Sequence, residues 1–245
     1  MQAVCLAAGR GSRFGGLGRY LQKAVYPVGL KPFMAYTLDA WIDGGVLEAG
    51  RDELFVVVGH HAEQVRHAVG FEWRGVPVRY VEQPHPLGTA DALARVAPFL
   101  HGPPALVWLG DTYASAAHAQ ALRDHATDAV LTLAMPSGPE PDRVRVTTQA
   151  DRIVRAHDGD GPMVEAGVWK LPAAVMDAMR EDADGPAERR MLPALQRQID
   201  AGLDVGFVTT EQWLHLGGTH PSVEANVTAV SAALKALHPA GFAGA

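Results

Sequence analysis

The 245-residue sequence has a single cysteine, Cys5, and lacks any long hydrophobic run. One cysteine excludes an intrachain disulfide and a cysteine-rich zinc site, and its apolar neighbours favour a buried strand residue. No run of about 18 apolar residues is present, so no transmembrane helix is predicted. The first apolar stretch, 3–8, is too short for the hydrophobic region of a secretory signal. A soluble cytoplasmic protein is the resulting expectation.

An excess of positive charge is also lacking, because the net charge at pH 7 is −6. This argues against a broad nucleic-acid-binding surface, although a local basic pocket stays compatible with it. The composition, 48% hydrophobic and 20% charged, is that of a globular protein with a core. Since no linker-like segment divides the chain, we expect one domain over 1–237 and a flexible Gly/Ala-rich tail at 238–245.

Short apolar runs alternate with helical patterns along the first half of the chain. The predicted strands are 3–8, 54–58, 77–81, 105–109 and 129–134, and the predicted helices are 32–46, 62–69, 89–99 and 114–125. The second half is predicted to contain a hairpin (143–148 and 152–156), strands at 164–171 and 205–208, and helices at 173–179, 187–201 and 221–237. Apolar strands alternating with helices indicate an α/β protein whose parallel strands are covered on both faces. Ligands then bind beyond the carboxyl ends of the strands, which points to residues 9–13, 59–61 and 110–111.

Residues 9–13, Gly-Arg-Gly-Ser-Arg, follow the first predicted strand and have the composition of a phosphate-binding loop. Glycines let backbone N–H groups approach an anion, and arginines add paired hydrogen bonds to phosphate. The spacing excludes a Walker loop, which needs G-x-x-x-x-G-K-[ST]. It also excludes the dinucleotide-binding pattern G-x-G-x-x-G, because Phe14 stands where the third glycine belongs. An exposed flexible loop with incidental arginines is the remaining alternative.

This loop, followed ten residues later by Lys23, resembles the signature of the sugar-1-phosphate nucleotidyltransferases. The matching segments, in the family's order, are 6–13, Lys23, 27–28, 31–34, 82–84, 88–93, 109–111 and 166–169. The resemblance implies a Rossmann-like three-layer α/β/α fold with a mostly parallel mixed sheet. It also implies that a sugar 1-phosphate attacks the α-phosphorus of an NTP, releasing pyrophosphate and forming an NDP-sugar.

The resemblance assigns roles to three groups of residues. The implied catalytic residues are Arg13, Lys23 and Asp111. The implied nucleotide-binding residues are Ala8, Gly9, Gly11, Ser12, Gln83, Gly88 and Thr89. The implied acceptor-side residues are Gly110, Glu165, Gly167 and His215. Asp111 would also bind Mg²⁺, which takes one or two carboxylates together with phosphate oxygens.

For several of these residues a purely structural role is the alternative. Asp111 could be the N-cap of the following helix, and Gly88 with Thr89 could form a helix N-terminus. Gln83 could be a polar residue at a strand end, and Glu165 a solvated strand residue. The expected partners are an NTP and a sugar phosphate, with no nucleic acid or membrane; a homo-oligomer is left open.

The sequence departs from the family pattern on the acceptor side. The family's late W-x-D-x-G-T supplies a metal-binding aspartate, but here that position holds His215 if Trp213 sets the register, or Leu216 if Gly218 and Thr219 set it. Imidazole is a poor ligand for Mg²⁺. The lysine of the family's E-K-P is also absent at 157–159. Two alternatives follow: a non-catalytic nucleotide or NDP-sugar-binding module that regulates a partner, or a nucleotidyltransferase for a non-sugar phosphate acceptor.

Overall fold

The computed structural model describes residues 1–136, 144–183, 189–217 and 222–243, without the side chains of Arg13 and residues 181–183. The strands are β1 Gln2–Ala7, β2 Pro27–Val28, β3 Lys31–Pro32, β4 Glu53–Val58, β5 Glu72–Trp73, β6 Val76–Glu82, β7 Ala105–Leu109, β8 Thr112–Tyr113, β9 Ala129–Ala134, β10 Arg145–Gln149, β11 Arg152–Arg155, β12 Met163–Leu171, β13 Val205–Thr210 and β14 Leu214–His215. The α-helices are α1 Phe33–Asp43, α2 Ala62–Val69, α3 Thr89–Val96, α4 Ala116–Asp124, α5 Ala173–Asp177, α6 Met191–Asp200 and α7 Val223–Leu237. The 3₁₀ segments are Ser12–Arg19, Lys23–Val25, Ala97–Phe99, Ala178–Ala183 and Pro239–Gly241.

Ten of the strands in the described ranges form one sheet, in the order β10-β11-β13-β9-β12-β7-β1-β4-β6-β5. β1 is parallel to β4 and β7, and β4 is parallel to β6. β12 lies between β7 and β9 and runs antiparallel to both, with Val168 opposite Trp108 and Leu171 opposite Ala105. The predicted mixed, mostly parallel sheet is therefore confirmed. Because β12 runs the other way, its beginning lies near the carboxyl end of β7.

Helices cover both faces of this sheet. Alternate residues of a strand point to opposite faces, so Val4 of β1 packs in the cluster that contains residues of α3, α5 and α6. Cys5 points the other way, into the cluster formed with α1, α2 and α4. Every residue of β1 is buried. This arrangement confirms the three-layer α/β/α architecture and explains why β1 is apolar at every position after Gln2.

A third apolar cluster joins α7 to α1 and to the 3₁₀ segment after β1. The end of the chain takes part in it, in contrast to the flexible tail expected from residue 238 onward. Tyr113 and His238 are hydrogen-bonded at 2.8 Å, and the Leu30 N–H donates to the Gly241 oxygen at 2.9 Å. The Gly/Ala composition predicts fraying and does not reveal these long-range contacts, which residues 238–243 make with β8 and with Leu30. Residues 244 and 245 lie outside the described residues.

The predicted strands and helices occur with small changes at their ends, and the changes have local causes. α1 ends at Asp43 rather than Val46, because Gly45 takes φ +66°. α3 gives way to a 3₁₀ turn at Ala97, since Pro98 has no N–H to continue the helix. α4 begins at Ala116 because Ser115 is its N-cap, accepting from the His118 N–H at 3.3 Å.

Short elements without apolar periodicity went unpredicted. They include the 3₁₀ segment Ser12–Arg19 and the pair formed by β8 and β14. The predicted starts at residues 143, 187 and 221 fall outside the described residues. In the described part of the chain, none of the helices is both long and apolar enough to cross a membrane.

Candidate active site

A cleft of about 440 Å³ opens at the carboxyl ends of β1, β6 and β7, where the parallel-strand rule places a ligand. Its walls come from four segments that are distant in the sequence and meet at this edge. The lining residues are Leu6, Ala8, Gly9, Arg10, Gly11, Ser12, Gln22, Lys23, Ala24, Gln83, Pro86, Gly88, Thr89, Ala92, Leu109 and Asp111. This set includes every predicted nucleotide-binding residue and two of the three predicted catalytic residues.

The loop after β1 turns sharply at Gly11, whose φ of +64° is the left-handed conformation that glycine tolerates best. The Phe14 N–H donates to the Gly11 oxygen at 2.7 Å and starts the 3₁₀ segment. Gly18 lies against this turn, so closely that a Cβ there would be 2.6 Å from the Gly11 oxygen. Gly9, Gly11 and Ser12 therefore form a compact rim of the cleft. Arg13 belongs to the same segment, and its side chain lies outside the described atoms.

Gln22 fixes the backbone on which Lys23 stands. Its amide nitrogen donates to the Ala7 oxygen at 2.5 Å, and its amide oxygen accepts from the Ala24 N–H. The Gln22 N–H in turn donates to the Gln64 side chain at 2.8 Å. Sequence reasoning missed Gln22, because nothing in the local pattern indicates its bond to Ala7 in β1. The bonds join the 3₁₀ turn of Lys23 to β1 and α2.

Lys23 and Asp111 form an ion pair at the centre of the cleft, with 2.7 Å between Nζ and Oδ2. The side chains are 10% and 24% exposed, so both charges are largely removed from water and each compensates the other. The alternative that Asp111 caps the next helix is wrong, because Ser115 caps α4. A strand end has instead placed a carboxylate against the predicted phosphate-binding lysine.

Gly110, before Asp111, is held at the bottom of the site. Its N–H donates to the Leu6 oxygen at 3.0 Å. A Cβ at Gly110 would lie 2.8 Å from the Ala24 Cβ and 3.1 Å from the Cys5 sulfur. Burial, followed by the Asp111 charge, raises the pKa of the Cys5 thiol well above its ordinary value. The structure thus gives Gly110 a packing role, and its acceptor contact stays a prediction.

The opposite wall carries Gln83, Gly88 and Thr89. Gly88 has φ +96°, and a Cβ there would meet the Arg189 oxygen at 2.3 Å, so only glycine fits this turn. The Gln83 amide nitrogen donates to the Gly88 oxygen at 2.9 Å and to Asp91 Oδ2 at 2.8 Å. Thr89 begins α3, and its hydroxyl accepts from the Met191 N–H at 2.9 Å. A rigid, glycine-based turn therefore faces the loop and the lysine across the cleft.

Glu165 and Gly167 lie where β12 changes register, near the carboxyl end of β7. Glu165 Oε1 accepts from the Trp169 indole N–H at 2.5 Å and from the Gly167 N–H. Gly167 has φ +83°, and a Cβ there would lie 2.9 Å from Leu109 Cδ1. Neither residue belongs to the lining of the 440 Å³ cleft. Their acceptor role stays a prediction. The alternative that Glu165 is merely a solvated strand residue does not hold, because its carboxylate is bonded to the buried Trp169.

His215 is buried in β14, which pairs with β8 just after Asp111. Its Nδ1 accepts from the Gly217 N–H at 3.0 Å, which leaves the proton on Nε2 of the neutral ring. The following residue, Leu216, donates its N–H to the Asp111 oxygen at 2.9 Å. β14 thus reaches the backbone of Asp111, while the His215 side chain is outside the cleft lining.

Within residues 1–136, 144–183, 189–217 and 222–243, no three His, Cys, Asp or Glu side chains come together as a ready metal site. Asp111 supplies one carboxylate to the cleft wall. One carboxylate suits a cation that takes its other ligands from substrate phosphates and water, as Mg²⁺ does. It does not suit a site built from protein ligands alone.

A family model described as Nucleotidyl transferase matches residues 2–143 of the chain. The match contains the loop, Lys23, Gln83 and Asp111, and it ends before Glu165 and His215. More than half of the 245 residues are covered.

Two curated relatives are similar along most of the chain. The mannose-1-phosphate guanylyltransferase of Mycobacterium tuberculosis is 26% identical over 225 residues, which is 89% of this chain and 61% of the relative. The glucose-1-phosphate thymidylyltransferase of Streptomyces griseus is 27% identical over 236 residues, 92% of this chain and 65% of the relative. The chain therefore spans less than two thirds of the length of these relatives.

Among solved structures, a UDP-glucose pyrophosphorylase complexed with UDP-glucose superposes with a TM-score of 0.75. The identity is 15%, and the alignment covers 96% of this chain and 98% of the other. At this identity the likeness establishes a shared fold.

Proposed function

Since the chain belongs to the nucleotidyl transferase family, we propose that it transfers the nucleoside monophosphate of an NTP to a sugar 1-phosphate. An oxygen of the sugar phosphate attacks the α-phosphorus, the bond to the bridging α,β-oxygen breaks, and pyrophosphate leaves with the electron pair. The product is an NDP-sugar. The observation that carries the proposal is the Lys23–Asp111 pair, which faces the Gly9–Ser12 rim within one cleft.

Such a transfer needs positioning and charge neutralisation more than proton transfer. The N–H groups of Gly9, Gly11 and Ser12 are suited to hold the triphosphate, since successive N–H groups in a turn attract anions. Gln22 holds the backbone beside Lys23 through its bond to the Ala24 N–H. The Lys23 ammonium group is proposed to contact the α-phosphate region. Arg13 is proposed to neutralise charge on the leaving pyrophosphate. Gln83, Gly88 and Thr89 are proposed to frame the base.

Asp111 would hold Mg²⁺ together with phosphate oxygens of the substrate, and the bound ion would neutralise phosphate charge. Lys23 already lies against this carboxylate at 2.7 Å, so an arriving triphosphate competes with Asp111 for the ammonium group. If the Lys23 ammonium group moved from Asp111 to a substrate phosphate, the Asp111 carboxylate would be left to bind Mg²⁺. The pair thereby keeps both charges compensated before substrate arrives.

The acceptor is proposed to enter near Glu165, Gly167 and His215, at the start of β12 and in β14. The proposed substrates are small molecules, an NTP and a sugar phosphate, and the absence of a nucleic-acid partner stays a prediction. Cytoplasmic location and a homo-oligomer stay predictions.

The test is pyrophosphate release, measured with Mg²⁺ over ATP, CTP, GTP, UTP and dTTP combined with a panel of sugar 1-phosphates. We expect turnover with at least one pair and its loss in Lys23→Met. Gly16→Ala is the control, because among the described residues, its chain neighbours aside, no atom lies within 4 Å of a Cβ at this site. Absence of turnover for every pair, with folded protein, would refute the proposal for sugar 1-phosphates.

A second candidate, a non-catalytic binding module, is favoured by His215 at the position of the family's late aspartate. Calorimetry that gives tight NTP binding without turnover would favour it over the transferase. Including an alditol phosphate and choline phosphate in the panel separates a non-sugar acceptor from both.

A further inference from the structure

We propose that Asp91 is a positioning residue that fixes the orientation of the Gln83 amide, so that Gln83 offers a nucleobase only a hydrogen-bond acceptor. The proposal rests on the nucleotide-binding part of the function proposed above. It concerns the charged network behind Gln83, whose members the sequence motifs did not assign.

Gln83 follows β6 and is 4% exposed, and its N–H donates to the Val58 oxygen at 2.8 Å. Its Nε2 lies 2.9 Å from the Gly88 oxygen and 2.8 Å from Asp91 Oδ2. Both of these partners are acceptors, so the nitrogen and oxygen of the amide can be told apart from the network itself. The two amide hydrogens are consequently both engaged away from the base.

Asp91 is held in place by two arginines. Arg95 Nε donates to Asp91 Oδ2 at 2.7 Å, and Arg189 Nη1 lies 3.6 Å from Oδ1. The Asp91 side chain is 9% exposed, so these cations compensate a charge that is almost removed from water. The Arg189 backbone also binds the turn, since its oxygen accepts from the Ala90 N–H at 3.0 Å. The carboxylate therefore has little freedom to leave Gln83.

The orientation has a consequence for recognition. Rotating the Gln83 amide by half a turn would set its oxygen against the Gly88 oxygen and the Asp91 carboxylate, two acceptor–acceptor contacts. With Nε2 engaged, Oε1 is the amide atom left to contact a base in the cleft. A base must then present an N–H or an amino group at this point, and a base with a lone pair or a methyl group there is rejected.

The test is a double-mutant cycle on NTP affinity, with Gln83→Ala, Asp91→Ala and their combination. Dissociation constants are measured by calorimetry for the tightest-binding member of ATP, CTP, GTP, UTP and dTTP. If Asp91 acts through Gln83, we expect Asp91→Ala to weaken binding roughly tenfold in the native background and less than about twofold after Gln83→Ala. Equal losses in the two backgrounds would overturn the proposal.

Asp52 provides the control for the general effect of removing a buried carboxylate. It is 5% exposed, it binds the terminal amine of Met1, and it precedes β4 at the opposite edge of the sheet. Asp52→Asn is expected to lower thermal stability and leave NTP affinity unchanged. If Asp91→Ala does not fold, Asp91→Asn enters the same cycle, with the same non-additivity expected.

The cycle does not depend on turnover. Strong coupling between Gln83 and Asp91 without pyrophosphate release would support the positioning role and count against the transferase. Pyrophosphate release together with additive losses of NTP affinity would support the transferase and overturn the positioning role of Asp91.

Discussion

Replacing Gly110 by alanine is expected to destabilise the protein through overpacking. The new Cβ would lie 2.8 Å from the Ala24 Cβ, 3.1 Å from the Cys5 sulfur and 3.3 Å from the Leu6 oxygen. Carbon atoms in contact prefer separations of about 3.5–4.0 Å, so Ala24 must move by roughly 0.7 Å or more. φ at Gly110 is outside the left-handed region, so the cost comes from packing and not from backbone strain.

Extra methyl groups in a well-packed core cost about 1–3 kcal/mol. For a chain of this size, a loss of about 2 kcal/mol lowers the melting temperature by roughly 4–8 °C. Ala24 follows Lys23, so the displacement also reaches the ammonium group that pairs with Asp111. We therefore expect weaker NTP binding together with the lower melting temperature.

Differential scanning calorimetry of Gly110→Ala, alone and combined with Ala24→Gly, checks this account. Ala24→Gly removes the nearest clashing atom and is expected to restore at least part of the lost stability. Gly16→Ala is the control and is expected to change stability by less than about 0.5 kcal/mol. A melting temperature within 1 °C of the parent for Gly110→Ala, on the order of experimental error, would refute the packing argument.

Three further outcomes are expected. Lys23→Met should lower kcat for pyrophosphate release by about 10²–10³ while the protein stays folded, and a loss below about tenfold in steady-state assays would contradict its role. The Cys5 thiol, fully buried and with a raised pKa, should react with iodoacetamide only in denaturant; labelling of the native protein, seen by mass spectrometry, would contradict this. Burial lowers the pKa of His118 below its ordinary 6.5, so the unfolded chain binds the proton more readily and stability should fall as the pH drops below about 6.5. Chemical denaturation at pH 7.5 and 5 should find that dependence reduced in His118→Gln, and an unchanged dependence would count against it.

The main fold could be predicted because strands that are buried on both faces of the sheet are apolar at nearly every position. β1, β4, β7 and β9 are almost wholly apolar, with Gln2, Glu53 and Thr132 as the exceptions, so their runs stand out against the helical patterns between them. The pair β8–β14 has no such pattern. Each strand contributes two residues, and the two strands are far apart in the sequence. The contacts of the final residues could not be predicted, because composition does not report the His238–Tyr113 bond.

Most of the residues that line the cleft could be predicted from motifs, because loop glycines, a lysine and a strand-end aspartate leave a recognisable spacing. The supporting residues could not. Gln22 and Asp91 act through backbone and side-chain bonds to partners distant in the sequence or across a turn, which single-residue patterns do not encode. Glu165 is similar, since its bond to Trp169 depends on the register change in β12.

The reversed direction of β12 brings two separate stretches of the gene to the same edge of the sheet. The loop, the lysine and the strand-end aspartate all lie before residue 112, whereas β12 and β14 bring Glu165 and His215 to the same edge from after residue 162. The two stretches touch at defined points, such as the Leu216 N–H bound to the Asp111 backbone oxygen and the Arg189 backbone packed against Gly88. Under the proposed function, protein engineering can vary the acceptor side in a library of its own, provided that the residues at these contacts are kept.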